Sequence, residues 1–172
     1  NDFSFYGSIE ISTLPGLVLT SFEVDSARVR RSERDATRAD CDDILLTLLL
    51  DGHMHVSQNG AESVIRERTF YLLDPLHPFD VSLKGRNRNL TIKIPRAMLE
   101  ARVGLTSNLT AVPIAPGSAI ANLAMGFIEI LPPQANDLDP VAGLNVANQT
   151  LDLIAMAIST HMGSDGASLS AP

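Results

Sequence analysis

Between Ile44 and Ile94 turn-forming residues divide the chain into short apolar stretches, and this pattern limits the folds open to it. It predicts five or six strands in succession, each about five to seven residues long, as in a meander that closes into a barrel. The dipeptides Asp51-Gly52 and Asn59-Gly60 favour type I′ turns, so residues 44–65 are predicted to form two consecutive hairpins.

Three of these strands alternate between apolar and polar residues, so each is predicted to have one apolar and one wet face. The apolar positions are Met54 and Val56, then Phe79, Val81 and Leu83, then Leu90, Ile92 and Ile94. The stretch Ile44 to Leu50 is apolar on both faces apart from Thr47, which is typical of a central strand. Which of its faces lines a pocket stays open.

The N-terminal residues 1–31 predict a strand-rich entry, split by the turn Leu14-Pro15-Gly16, with a third short strand at 27–31. Residues 30–43 mix charges without an apolar period and are predicted to form a solvated loop.

Composition places the chain among globular proteins of one domain or one domain with a helical appendage. It has 172 residues and a single cysteine, Cys41, which excludes an internal disulfide and fits a reducing cytoplasm. No apolar run approaches the roughly 18 residues needed to span a bilayer, so we expect a soluble protein without a membrane partner. Because the chain starts at Asn, we expect a segment of a longer protein.

The formal charge of −7 argues against direct binding of nucleic acid, which needs clustered basic residues. All 13 Lys and Arg residues lie within positions 1–102, whereas positions 103–172 carry five acidic residues and no Lys or Arg. We expect so charge-poor a segment to pack on the barrel or in a subunit interface.

Helices are predicted after the strands. Pro95 opens a short helix at 96–103, and Ser118 caps a second helix that ends before Pro132-Pro133. Asp139 and Pro140 start a final helix that runs to about residue 161 or 162.

The apolar stripe of the final helix contains Asn148, and a polar residue in such a seam sets register and partner number. The stripe therefore predicts a homodimer interface, with ordinary packing on the barrel as the equal alternative. The interface candidates are Leu144, Asn148, Leu151, Ile154 and Ile158.

A metal site is suggested by His53-x-His55 with His77, Glu62 and Glu67, since histidines two apart share a strand face. Inward histidines would, however, turn Met54 and Val56 toward water. We therefore predict no metal, no other cofactor and no catalytic residue, and templates for nucleophilic or phosphate sites are missing from the sequence.

Four residues are candidates for binding a ligand. Thr47 and Tyr71 are polar positions where the pocket is otherwise expected to be apolar. Arg31 could pair with a carboxylate, and His77 lies in a turn at the barrel rim, with pocket lining as its lesser alternative.

Several motifs together resemble the cupin-like sensor domain of AraC-family transcriptional regulators, in particular the AraC-binding-like subgroup. They are Arg30-Arg31, the acidic approach 40–43, ILLTLLL, Gly52, the segments 56–60 and 72–74, Pro78-Phe79 and 94–99. One departure is Glu67-Arg68-Thr69, where many members have a Gly-Asp turn.

The resemblance implies a mainly β fold with C-terminal α structure: a cupin-like double-stranded β-barrel (jelly roll) followed by two longer helices. The barrel sensor would occupy 1–103 and the helical dimerisation segment 104–162. Residues 163–172 would link to a DNA-binding helix-turn-helix domain beyond this chain. It implies a non-enzymatic, cytoplasmic sensor of a small-molecule effector. The alternative, which His53, His55 and His77 suggest, is a small metal-dependent cupin enzyme, an isomerase or dioxygenase.

Overall fold

The computed structural model describes residues 7–38 and 42–168, so Cys41 and the end of the predicted linker, 169–172, lie outside the described residues. The strands are β1 (Gly7–Leu14), β2 (Leu17–Val24), β3 (Ala27–Arg31), β4 (Asp43–Asp51), β5 (Met54–Gln58), β6 (Ala61–Ile65), β7 (Thr69–Leu73), β8 (Phe79–Leu83) and β9 (Asn87–Pro95). The helices are α1 (Glu33–Ala36), α2 (Arg96–Val103), α3 (Ala119–Ile130), α4 (Pro132–Ala135) and α5 (Pro140–Ser168).

The strands form two antiparallel sheets that face each other. Sheet 1 has the order β1-β2-β9-β4-β7, and sheet 2 has the order β3-β8-β5-β6. Helices α2, α3 and α5 lie C-terminal to the barrel and pack with sheet 1 in one apolar core. The predicted fold is confirmed: a cupin-like jelly roll followed by helices.

Strand β4 is the central strand that the sequence predicted, and the structure assigns its two faces. Ile44, Leu46 and Leu48 are buried in the core that sheet 1 shares with the helices. Leu45 and Leu49 point the other way, into the core between the two sheets. Each fully buried side chain of this kind contributes about 1.5–3 kcal/mol, so both cores depend on this strand.

The predicted pair of hairpins is half right. β5 and β6 form a hairpin through Asn59 and Gly60, which both have positive φ as a type I′ turn requires. β4 and β5 do not pair, because β4 lies between β9 and β7 in sheet 1 while β5 belongs to sheet 2. At Gly52 the chain therefore crosses between sheets.

Helix α5 starts as predicted, since the Asp139 carboxylate accepts hydrogen bonds from the amides of Val141 and Ala142. It extends to Ser168, past the predicted end. By length and composition Pro140–Gly163 could cross a membrane, which corrects the expectation that no apolar run is long enough. A core helix of a soluble protein passes the same test, and one face of α5 is buried in this chain.

The loop predicted at 30–43 contains the short helix α1, which sequence reasoning missed. The Ser32 hydroxyl accepts from the Asp35 amide at 3.3 Å, and the Asp35 carboxylate accepts from the Ser32 amide at 3.2 Å. This reciprocal capping box was readable as Ser-x-x-Asp.

We predict that Gly52→Ala lowers the free energy of unfolding by about 3 kcal/mol, because Gly52 has a φ of +100° and its surroundings are closed. An added Cβ would lie 2.9 Å from the Arg86 carbonyl oxygen and closer still to Asn87 Oδ1. Gly60→Ala is the matched control: φ is +81° but nothing lies within 4 Å, so about 1 kcal/mol is expected. Equal losses in urea unfolding would contradict the role of the contacts.

Candidate functional site

A cavity of about 380 Å³ lies between the two sheets. Its walls are apolar side chains from both sheets, among them Phe22, Met54 and Val81. The wall side chains Ile9 and Val29 are 62% and 52% exposed, so the cavity opens to solvent near β1 and β3, the outermost strands at one side of the barrel.

The polar groups of the cavity come from three adjacent strands of sheet 1. Strand register places Thr91 beside Thr47 and Thr47 beside Tyr71. The Thr47 and Thr91 hydroxyls are 2.8 Å apart and hydrogen-bond to each other, while the Tyr71 hydroxyl donates to Met54 Sδ at 3.2 Å. Burial raises the pKa of the Tyr71 phenol, and the Thr47 hydroxyl opposes this rise by a smaller amount, so the phenol is neutral at physiological pH.

Asn89 is the fourth polar residue of the wall. It pairs with Phe22 of β2 and Leu49 of β4 and is 5% exposed. Its Oδ1 is buried without a hydrogen-bond partner. Sequence reasoning missed Asn89 and Thr91, although the alternation of Leu90 and Ile92 placed them on the opposite face of β9. That face was predicted to be solvent-exposed, whereas sheet 2 covers it.

The four predicted ligand-binding residues do not share a site. Thr47 and Tyr71 line the cavity together. Arg31 lines an outer cleft beside the β5–β6 turn, and its Nη2 donates to the Asp35 carbonyl at 3.1 Å. His77 lies at a turn, with Nδ1 3.1 Å from Asp74 Oδ2. Ligand binding by any of the four stays a prediction.

The histidines considered for a metal site point away from the cavity. Met54 and Val56 of β5 face inward and are 1% exposed, as the alternation predicted, so His55 between them faces outward and His53 is exposed in the preceding turn. In residues 7–38 and 42–168 no three His, Cys, Asp or Glu side chains are grouped to hold a metal ion.

The domain family is decided by the sequence match. The model of the AraC-binding-like domain family matches residues 2–159. The chain belongs to this family. An uncharacterized protein in the nit 5′ region of Bacillus sp. (strain OxB-1) is 26% identical over 162 residues, which are 93% of this chain and 62% of that protein.

A solved structure supports the fold of this AraC-binding-like domain. The crystal structure of the AraC-like transcriptional activator CuxR matches 91% of this chain with a TM-score of 0.80 at 11% identity. This chain covers 56% of the CuxR chain. It thus spans about three-fifths of the length of these two proteins.

In this AraC-binding-like domain a buried ion pair joins the barrel to α2. Arg96 Nη2 donates to Asp74 Oδ1 at 2.7 Å, and the two side chains are 17% and 5% exposed. Burial raises the pKa of Asp74, but hydrogen bonds from Arg96, the Leu76 amide and His77 hold it below its ordinary value. Arg96 belongs to the segment 94–99 that carries part of the family resemblance, but its ion pair was not predicted.

The interface prediction for α5 is corrected at three positions. Leu151, Ile154 and Ile158 are 0% exposed because they pack in the core with sheet 1 and α3, so they offer no surface to another chain. Asn148 is half-buried and accepts a hydrogen bond from Arg102 Nη2 at 3.3 Å. Leu144 is 50% exposed and remains accessible.

We predict that Asp74→Asn lowers the free energy of unfolding by about 2 kcal/mol at pH 7, because it removes a buried charge-assisted hydrogen bond, while Arg96 keeps the more exposed Asp42 as a second partner. The folded pKa of Asp74 lies below the ordinary 3.8, so the ion pair stabilises the fold above that pH. The deficit of the variant should therefore shrink only as pH falls below about 4.

Asp152→Asn is the matched control in urea unfolding across pH. Asp152 pairs with Arg102 at 2.7 Å but is 62% exposed, so a loss of less than about 1 kcal/mol is expected. A deficit for Asp74→Asn as small as this, or one that disappears near neutral pH, would contradict the prediction.

Proposed function

We propose that this domain senses a small-molecule effector in the barrel cavity and forms the sensing and dimerisation part of an AraC-type transcriptional regulator. The observation that carries the proposal is an apolar cavity inside the barrel of a chain that belongs to the AraC-binding-like family. The likeness to CuxR, an AraC-like transcriptional activator, supports it.

DNA would be bound by a helix-turn-helix domain elsewhere in the whole protein, since this chain carries a charge of −7. A regulator that acts on bacterial DNA would work in the cytoplasm. The alternative, a metal-dependent isomerase or dioxygenase, gains nothing from the geometry, because His55 faces away from the cavity.

A path from the effector to the helices runs across β4 and β9. Thr47 and Thr91 contact the cavity, while their neighbours Leu46 and Ile92 contact the helical core on the opposite face of the same sheet. A ligand that binds one arrangement of the sheet better than another would shift the helices through these strands.

The homodimer would form through the outer surface of the helical layer. Leu144 of α5 and Leu123 and Ile130 of α3 are between 50% and 64% exposed. The α3 pair is seven residues apart and so lies on one helix face.

We predict that Ala27→Phe reduces effector affinity at least tenfold, because Ala27 lines the cavity and a phenyl ring there would occupy space that the effector needs. Metabolites are first screened for those that raise the unfolding midpoint of the wild-type domain, and affinities follow by calorimetry. Ala97→Phe, at an exposed position of α2, should bind as the wild type does. An unchanged affinity in Ala27→Phe would place the effector elsewhere.

We predict that Leu144→Glu converts the dimer to a monomer that remains folded, measured by light scattering and circular dichroism. Leu151→Glu should unfold the chain instead, because it buries a charge in the core. Leu105→Glu, at a position 81% exposed in a loop, should change neither property. A wild-type monomer would refute the dimer, and a dimeric Leu144→Glu would exclude α5 from the interface.

A further inference from the structure

Among the residues that the structure describes, the cavity wall has no group that could balance the charge of an ion. None of its lining residues is Lys, Arg, His, Asp or Glu, and Tyr71 is the one ionisable side chain in the wall. Burial keeps that phenol in its neutral form. Transfer of a carboxylate or an ammonium group into such surroundings is unfavourable without a partner charge. The cavity therefore selects for uncharged molecules.

Three of the four polar residues in the wall have a hydrogen-bond partner, whereas the fourth, Asn89, has an acceptor without one. The Thr47 and Thr91 hydroxyls hydrogen-bond to each other, and the Tyr71 hydroxyl donates a hydrogen bond to Met54 Sδ. The carbonyl oxygen of the Asn89 side chain has no partner, although the residue is 5% exposed. A buried acceptor in this state costs about 1–3 kcal/mol, which a donor on a ligand would remove.

We propose that the cavity binds a neutral, largely apolar alcohol or phenol whose hydroxyl donates a hydrogen bond to the Asn89 side chain. This inference rests on the proposed function and names its ligand class. The volume of about 380 Å³ lies toward the low end of the usual range of about 300–1,000 Å³ for ligand pockets, so a body of one or two rings is suitable.

The test uses three probes of the same shape at pH 7, with affinities from calorimetry. They are 2-naphthol, 2-methylnaphthalene, which lacks the donor, and 2-naphthoate, which carries a charge. We expect 2-naphthol to bind about tenfold more tightly than 2-methylnaphthalene, as one additional hydrogen bond predicts. We expect 2-naphthoate to bind more weakly than both.

The Asn89→Leu variant should bind the naphthol and the methylnaphthalene equally, and Asn89→Val serves if the leucine variant does not fold. Ser12→Ala is the matched control: the Ser12 Oγ also lacks a partner and is buried, but it lies outside the cavity wall. The Ser12→Ala variant should keep the tenfold preference for 2-naphthol over 2-methylnaphthalene.

A preference for 2-naphthol that persists in both Asn89 variants would overturn the role of Asn89. Tighter binding of 2-naphthoate would overturn the neutral ligand class while leaving the barrel as the effector site. If none of the probes binds the wild-type domain saturably but the metabolite screen yields a cavity ligand, this inference fails alone. If neither the probes nor any metabolite from the screen binds in the cavity, both this inference and the proposed function fail.

Discussion

The structure depends on the burial of both faces of sheet 1. Strand β4 supplies Leu46 to the core under the helices and Leu49 to the core inside the barrel. Because successive side chains of a strand point to opposite sides, β4 contributes to both cores, and β7 does the same. The cavity and the helical layer are therefore separated by the thickness of a single sheet, which is the basis of the coupling proposed above.

Polar contacts hold the two sheets and the helices together at one end of the barrel. The Gln58 side chain at the end of β5 donates to the Asp74 carbonyl at 2.7 Å and accepts from the Asp74 amide at 2.8 Å. It thereby links sheet 2 to the residue that follows β7. The Asp74 carboxylate in turn binds Arg96 at the start of α2. In the proposed coupling, a displacement of the end of β7 would be transmitted to α2 through this contact.

Two strong local signals behaved as predicted, whereas Asp51-Gly52 and residues that depend on distant partners did not. Asp139 caps α5 and Asn59-Gly60 forms a hairpin, because both effects involve only neighbours in sequence. Leu151 was a candidate for a dimer seam, but the same apolar spacing also fits packing inside one chain, and it is buried there. Asn89 was missed because the sequence does not distinguish a polar strand residue that faces solvent from one that a second sheet covers.

The sequence by itself determined the class of fold, the positions of most strands and the inward orientation of Met54 and Val56, since alternation and turn residues are local properties. Only the tertiary structure decided that the face of β4 with Thr47 lines the cavity, that Asp51-Gly52 crosses between sheets, and that Arg31 lies outside the cavity. The physical reason is that a strand apolar on both faces can be placed either way round. The choice is made by the pairing of strands far apart in the chain, such as β4 with β9.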